Sequence, residues 1–352
     1  METAKEIKKI LVIRFRQVGD TILASAMCSC LKRSFPNAEV HIVLNSRIAP
    51  IFEHHPDIDK TITFSQEENK NFFKYISRIW SVMHSEKYDV IIDMRATIRT
   101  LLFSLFSLHT PIRIGRRKKY SAPFLTHCID FPNNIDMVRL NQLYADALSQ
   151  VGTIIPVNDF RLYVSKEEKD EAYNYMQKEG IDFSRPIVLV GVTTKILEKR
   201  WNIDYMTEVI KRILERYKNL QLIFNYAPDR EEEDAREIYN RLGKPEAIKI
   251  DVQCKSLRSL MALCSNCSFY FGNEGGSRHL AHALGIPSFA IFSPNANKVC
   301  WMPKNSTPAD GIEPCDIIKA EEAETLNREE MFNRITPDIV CERLFPLLDK
   351  LS

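Results

Sequence analysis

The stretch YFGNEGGSRHLAHALGIPSFAIF, Tyr270 to Phe292, constrains the fold more than any other. An apolar run of strand character ends in Gly-Asn-Glu-Gly-Gly-Ser. A helical pattern opens at Arg278 and His279, and a second apolar run closes the unit. Strand, tight turn, helix and strand in so short a span form a βαβ unit, whose crossover makes the two strands parallel. Three of the chain's 11 glycines fall between Gly272 and Ser277. Glycines after a strand let backbone approach a ligand without a Cβ clash, and the helix start beyond them offers free N–H donors.

The same alternation runs through the chain. Lys9–Phe15 (KILVIRF) is a continuous β-branched run of buried-strand type; EVHIVL, KTITF and DVIIDM follow, with helical patterns at Lys70–His84 and Ile98–Leu108. A polar amphipathic helix bounded by Gly180 restarts it. Strand Pro186–Val192, helix Ile203–Tyr217, strand LQLIFN, helix Asp229–Leu242, a short strand near Ile248, helix Ser256–Cys264 and strand Ser268–Gly272 then lead to the glycine turn. The boundary falls between Thr153 and Lys166. This predicts an α/β protein of two Rossmann-like domains, residues 1–160 and 161–335. A final Thr-Pro-initiated helix in 336–352 is expected to pack back towards the first domain.

Composition excludes several classes. Of 352 residues 45% are hydrophobic and 27% charged, and the net charge of +2 provides no global field for nucleic acid. Nine scattered cysteines, and a start that runs directly into a strand without a signal-peptide pattern, suggest reduced thiols in the cytoplasm. The longest apolar stretch, Leu101–Leu108, is too short to span a bilayer.

Several strand ends carry chemistry. Gly19-Asp20 follows the first strand, where open α/β sheets bind ligands; on motif alone Asp20 reads as a helix N-cap. In GVTTKILEKRW, the hydroxyls of Thr193 and Thr194 and the charges of Lys195, Lys199 and Arg200 suit anionic oxygens. Gly275, Gly276 and Ser277 make a second anion cradle, to which Arg278 and His279 could add. Two such sites in one half point to a nucleoside diphosphate. Glu231–Glu233 suit a helix dipole, and one of them could reach a ribose hydroxyl. Between Arg95 and Arg139 there are eight Lys or Arg and two Asp, centred on RIGRRKKY; a solvated loop, an anionic acceptor and an acidic membrane surface all fit. Asp57-Ile58-Asp59 reads as turn chemistry rather than a metal site, and Cys264 and Cys267 as core thiols.

Taken in order, ILVIRFRQVGDTILASAM with its following FPNA, YDVIIDMRATIRT, RIGRRKK, VTTKILEKRW and GNEGGSRHLAHALG resemble glycosyltransferase family 9, the lipopolysaccharide heptosyltransferases. The Phe-Arg-Gln-x-Gly-Asp variant leans towards the third subgroup. The resemblance implies a GT-B fold, its two Rossmann-like domains facing a central cleft, the first binding acceptor and the second nucleotide-sugar. It also implies inverting transfer of heptose from ADP-heptose to the anionic lipopolysaccharide inner core without cofactor or essential metal, at the inner face of the cytoplasmic membrane. Asp20 becomes the general base. Thr193, Thr194, Lys199, Gly275, Gly276 and Ser277 hold the donor diphosphate, while Glu231, Glu274, Arg278 and His279 lie by the nucleoside or sugar. Arg16, Gln17, Arg95, Arg113, Arg116 and Arg139 fall on the acceptor side. Glu274 stands where the family has Asp, Gly275 where it has Ser or Thr, and Arg278 where a small residue or Met is usual. The residues leave open another nucleotide-sugar, such as a UDP-hexosamine. A non-catalytic nucleotide-binding relative is also open, though Asp20 with a complete Thr-Thr…Lys loop argues against it.

Overall fold

Short apolar runs become strands where helices cover both faces of a sheet, and among the described residues every ladder is parallel. The computed structural model describes residues 6–15 and 17–351 and divides into two units, 1–163 and 164–352.

In the first unit the elements are β1 Lys9–Ile13, α1 Val18–Ser34, β2 Glu39–Asn45, β3 Lys60–Phe64, α2 Gln66–Lys70, α3 Phe72–Ser85, β4 Val90–Asp93, α4 Leu101–Leu105, β5 Ile112–Arg116, β6 His127–Ile129 and α5 Met137–Asp146. The six-stranded sheet has the order β3-β2-β1-β4-β5-β6. Strand order therefore reverses between β1 and β4, the position where open α/β sheets leave a ligand crevice at the strands' carboxyl ends.

The second unit holds α6 Lys166–Lys178, β7 Ile187–Gly191, α7 Ile203–Arg216, β8 Gln221–Phe224, α8 Arg230–Arg241, β9 Ile248–Lys249, α9 Leu257–Cys264, β10 Phe269–Asn273, α10 Gly276–Ala283, β11 Ser288–Ile291, α11 Lys298–Trp301, β12 Ala309–Ile312, α12 Ala320–Ala323, α13 Arg328–Asn333 and α14 Pro337–Leu348. Its order is β12-β11-β10-β7-β8-β9, with the reversal between β7 and β10. Helix α7 buries Met206, Val209, Ile210 and Ile213, the spacing of a single helical face.

The helix expected at Lys70–His84 is preceded by a separate short one: α2 ends at Lys70 and α3 spans Phe72–Ser85. Ser65 caps the first with a capping box and Asn71 caps the second, so the chain restarts its helix at Phe72. RIGRRKKY is half strand, with Ile112–Arg116 forming β5. The terminal helix α14 packs into the second unit's core. Val340, Leu344 and Leu348 are buried beside Ile213 and Trp201, and the Trp201 indole N–H donates to the Ile335 carbonyl at 3.0 Å. Asp57 accepts from Ser29 at 2.5 Å; Asp59 accepts from Lys32 at 2.9 Å and from the Val40 amide at 2.8 Å, so both carboxylates tie their loop to neighbouring elements. Burial pushes the Cys264 thiol up to about 12 and Cys267 well above its ordinary value, as core thiols require.

Candidate active site

Two loops leave the carboxyl ends of β7 and β10, and those strands are direct neighbours, pairing Gly272 with Gly191. The approach is closer than side chains permit. Gly272 has φ +144, and a Cβ there would lie 2.4 Å from the Gly191 carbonyl oxygen. Asn273 fastens the loops together: its amide donates to the Gly191 carbonyl at 3.0 Å, and its side-chain oxygen accepts from the Trp201 amide at 2.7 Å. Tyr270 donates to the Asn273 carbonyl at 2.9 Å and lies 3.2 Å from the Ser277 hydroxyl.

Across this junction the Lys199 ammonium donates to Glu274 at 2.9 Å. The other oxygen of Glu274 accepts from the Ser293 hydroxyl at 2.6 Å and its amide at 3.1 Å. A cation is thereby held beside Gly275 and Gly276, where α10 begins and its first amides have no intrahelical acceptors. Ammonium, glycine turn and helix start lie together at this junction.

Other candidates are placed differently. Thr193 donates its hydroxyl to Asp234 at 2.8 Å, and the Thr194 carbonyl accepts from Arg230 at 2.6 Å. Asp234 also receives Arg200 at 2.6 Å and Arg230 at 2.8 Å, so this buried carboxylate organises the whole Thr-Thr loop. The acidic run Glu231–Glu233 fills the first turn of α8, and the helical phase turns the next residue, Asp234, inward. Glu231 itself accepts from the Ala227 amide at 3.3 Å. Arg278 is fully buried, one turn from His282, and it donates to the Trp301 carbonyl at 2.5 Å. It turns into the interior and presents no surface to a sugar. Burial lowers its guanidinium to about 10. Burial, then the neighbouring Arg278 charge, pushes His279 well below the ordinary imidazole range, so its ring is neutral at pH 7.

In the first unit, Asp20 lies in the first turn of α1, and Gln17 occupies the N-cap position without a side-chain cap bond. Asp20 does not cap the helix. Its carboxylate, 7% exposed, accepts from the buried guanidinium of Arg14 at 3.2 Å. Arg14, unremarked in the sequence, extends from the end of β1. At the end of the adjacent β4, Asp93 accepts from the Arg95 and Ala96 amides at 2.9 and 2.8 Å; its full burial pushes its carboxyl up. Both acids therefore flank the strand-order reversal. The basic candidates diverge. The guanidinium of Arg113 is consumed by the carbonyls of Phe124, Leu108 and Thr110. Arg139 pairs with Asp146 at 2.7 Å, and Arg116 lies over the Phe131 ring at 4.7 Å. Arg95 is half-buried beside Asp93, Gln17 is exposed, and Arg16 lies outside the described residues.

Residues 76–307 match glycosyltransferase family 9 (heptosyltransferase). The chain is 22% identical over 298 residues to lipopolysaccharide heptosyltransferase 1 of Campylobacter coli, covering 81% of this chain and 83% of that one. With lipopolysaccharide heptosyltransferase 3 of Escherichia coli it shares 21% identity over 349 residues, covering 93% and 96%. The solved E. coli ADP-heptose lipopolysaccharide heptosyltransferase II superposes with a TM-score of 0.74 at 20% identity, covering 97% of this chain and 99% of that one. Two Rossmann-like units with paired loops at each strand-order reversal are thus the GT-B fold, and the chain belongs to glycosyltransferase family 9, the heptosyltransferases.

Proposed function

We propose that this glycosyltransferase moves heptose from ADP-heptose to the inner core of lipopolysaccharide, with inversion and without an essential metal. The observation that carries this reading is the junction at the β7/β10 reversal. There Lys199, anchored by Glu274, stands beside the glycine turn and the first amides of α10. A cation and unsatisfied backbone donors at one place suit a leaving diphosphate. The names of the two curated relatives and of the E. coli structure supply the sugar, the donor and the acceptor class.

In the reaction, an acceptor hydroxyl attacks the anomeric carbon from the face opposite the diphosphate. Its proton passes to the Asp20 carboxylate as the new C–O bond forms. The bond from anomeric carbon to phosphate oxygen breaks, and the negative charge gathering on ADP is met by Lys199 and the α10 amides. Arg14 holds the Asp20 carboxylate in place. We place the enzyme at the inner face of the cytoplasmic membrane, where such an anionic lipid acceptor is built. No helix among the described residues is long and apolar enough to cross a membrane.

Asp20→Asn tests the reading. It should keep the rise in melting temperature caused by ADP, because donor binding is assigned to other residues. Transfer should fall by about a hundredfold or more, the scale of a lost general base. Undiminished transfer refutes the base, and a rise with UDP but not ADP refutes the donor.

A further inference from the structure

Helix α3 buries Tyr75, Ile79, Val82 and Met83, yet its opposite face is also apolar: Phe73 is 82% and Trp80 52% exposed, two helical turns apart on one stripe. The loop after β4 adds Ile98, 74% exposed, and the end of α4 adds Leu105 and Leu108. Contacts join these pieces into one surface. Trp80 meets Phe106 with ring centroids 5.5 Å apart, Arg99 donates to the Asn69 carbonyl at 2.6 Å, and the Arg99 guanidinium lies 4.2 Å above the Tyr75 ring.

A basic border runs along the same surface. Lys118 and Tyr120 both donate to the Ala96 carbonyl, at 2.9 and 3.0 Å, so the Arg116–Lys119 run is fixed beside Ile98. From Met94 to Ile129 the chain has seven Lys or Arg and no Asp or Glu; one of them, Arg117, pairs with Asp130 at 3.0 Å. Lys70 lies just before α3, at the end of a helix that also carries Glu67 and Glu68.

We propose that this face docks on an anionic bilayer surface, with Phe73, Trp80 and Ile98 entering the headgroup boundary and the Arg116–Lys119 loop meeting lipid phosphates. The proposal rests on the reading of a lipid-anchored acceptor. Exposed aromatics bordered by a net-basic stretch of chain are the complement of an anionic interface. A symmetric dimer through the same face would bring its basic border near its own copy, like charge facing like. The position suits the function: the loop carrying Ile98 leaves the carboxyl end of β4, next to the strand that leads to Asp20.

The test is co-sedimentation of the full chain with vesicles of phosphatidylcholine, alone or mixed with phosphatidylglycerol. The chain should pellet with the mixed vesicles and be released by raised salt. Phe73→Ser, at the most exposed position, should leave the melting temperature unchanged, and combined with Trp80→Ser, which also gives up the packing on Phe106 and His84, it should lower partition by at least about tenfold while the chain stays folded. Lys70→Glu with Lys119→Glu should remove the preference for phosphatidylglycerol. Unchanged partition in the aromatic variant overturns the proposal, as does self-association of the wild type that this variant abolishes. Transfer from ADP-heptose to a deacylated, water-soluble core oligosaccharide separates the two readings. Vesicle binding without transfer leaves the surface standing and removes the function; transfer without vesicle binding does the reverse.

Discussion

At Glu274 a single methylene decides what the carboxylate reaches. One oxygen is fixed by Ser293 and the other by Lys199, a span the shorter Asp of the resembled signature would have to cover differently. Glu274→Gln preserves an oxygen for Ser293 and removes the charge that anchors Lys199. A charge-assisted bond of this type contributes about 1.5–3 kcal/mol, and Lys199 is a third exposed, which reduces that figure. Donor affinity measured by calorimetry should therefore weaken by about tenfold, with little loss of folding stability. Unchanged affinity would mean that the turn Leu197–Lys199 positions the ammonium by itself. Two of the three sequence departures, Glu274 and Arg278, have separate meanings. The first faces the cradle and holds its cation. The second faces the interior, because residues 278 and 282 share the inward side of α10.

Gly272 is where elements meet, and its requirement is geometric. With φ +144 and the Gly191 carbonyl 2.4 Å from any added Cβ, Gly272→Ala must separate β10 from β7. The combined strain and overpacking should destabilise the second unit by about 2–4 kcal/mol in thermal or urea melts. Gly243→Ala is the control. It too has positive φ, +77, but nothing lies within 4 Å of its added methyl, so about 1 kcal/mol is expected. Equal losses would show that backbone strain alone sets the cost. Much of this architecture was readable in sequence, because β1, β2, β4, β7 and β10 are continuous apolar runs between helical patterns. The strands β5, β6 and β12 were not: Arg113 and Arg116 interrupt β5, Asp310 interrupts β12, and β6 is only three residues, His-Cys-Ile. Strand order was also hidden. It depends on pairings such as Gly191 with Gly272, far apart in the chain, and only that pairing shows why the Thr-Thr…Lys loop and the glycine turn belong to one site. Asp234 was hidden for another reason: an acidic run at a helix start already has an explanation in the helix dipole.

Across the whole molecule, the buried imidazoles set the response to acid. Burial lowers His41 and His279 below the ordinary range and lowers His55 to about 4. His55 lies between the rings of Phe52 and Tyr163, at 5.8 and 5.2 Å, and accepts the Asp57 amide at 3.2 Å, so its folded form is neutral. An unfolded chain regains a histidine near 6.5 and binds the proton that the folded chain refuses. The stabilisation is therefore complete above about pH 6.5 and is lost as pH falls towards about 4. His55 alone should lower stability by about 2 kcal/mol between pH 7 and pH 5. His41 in the first unit and His279 in the second act with the same sign. Asp93 works the other way: its raised carboxyl makes the folded state better at taking a proton as pH falls. One carboxyl against three imidazoles leaves the balance with acid destabilisation. Urea midpoints at pH 7 and pH 5 measure it, and His55→Phe, which keeps a ring between Phe52 and Tyr163 but cannot titrate, should recover about 2 kcal/mol of the difference. Midpoints that coincide at the two pH values in the wild type would mean these rings are already protonated in the fold, and that their burial is less complete than the packing around His55 requires.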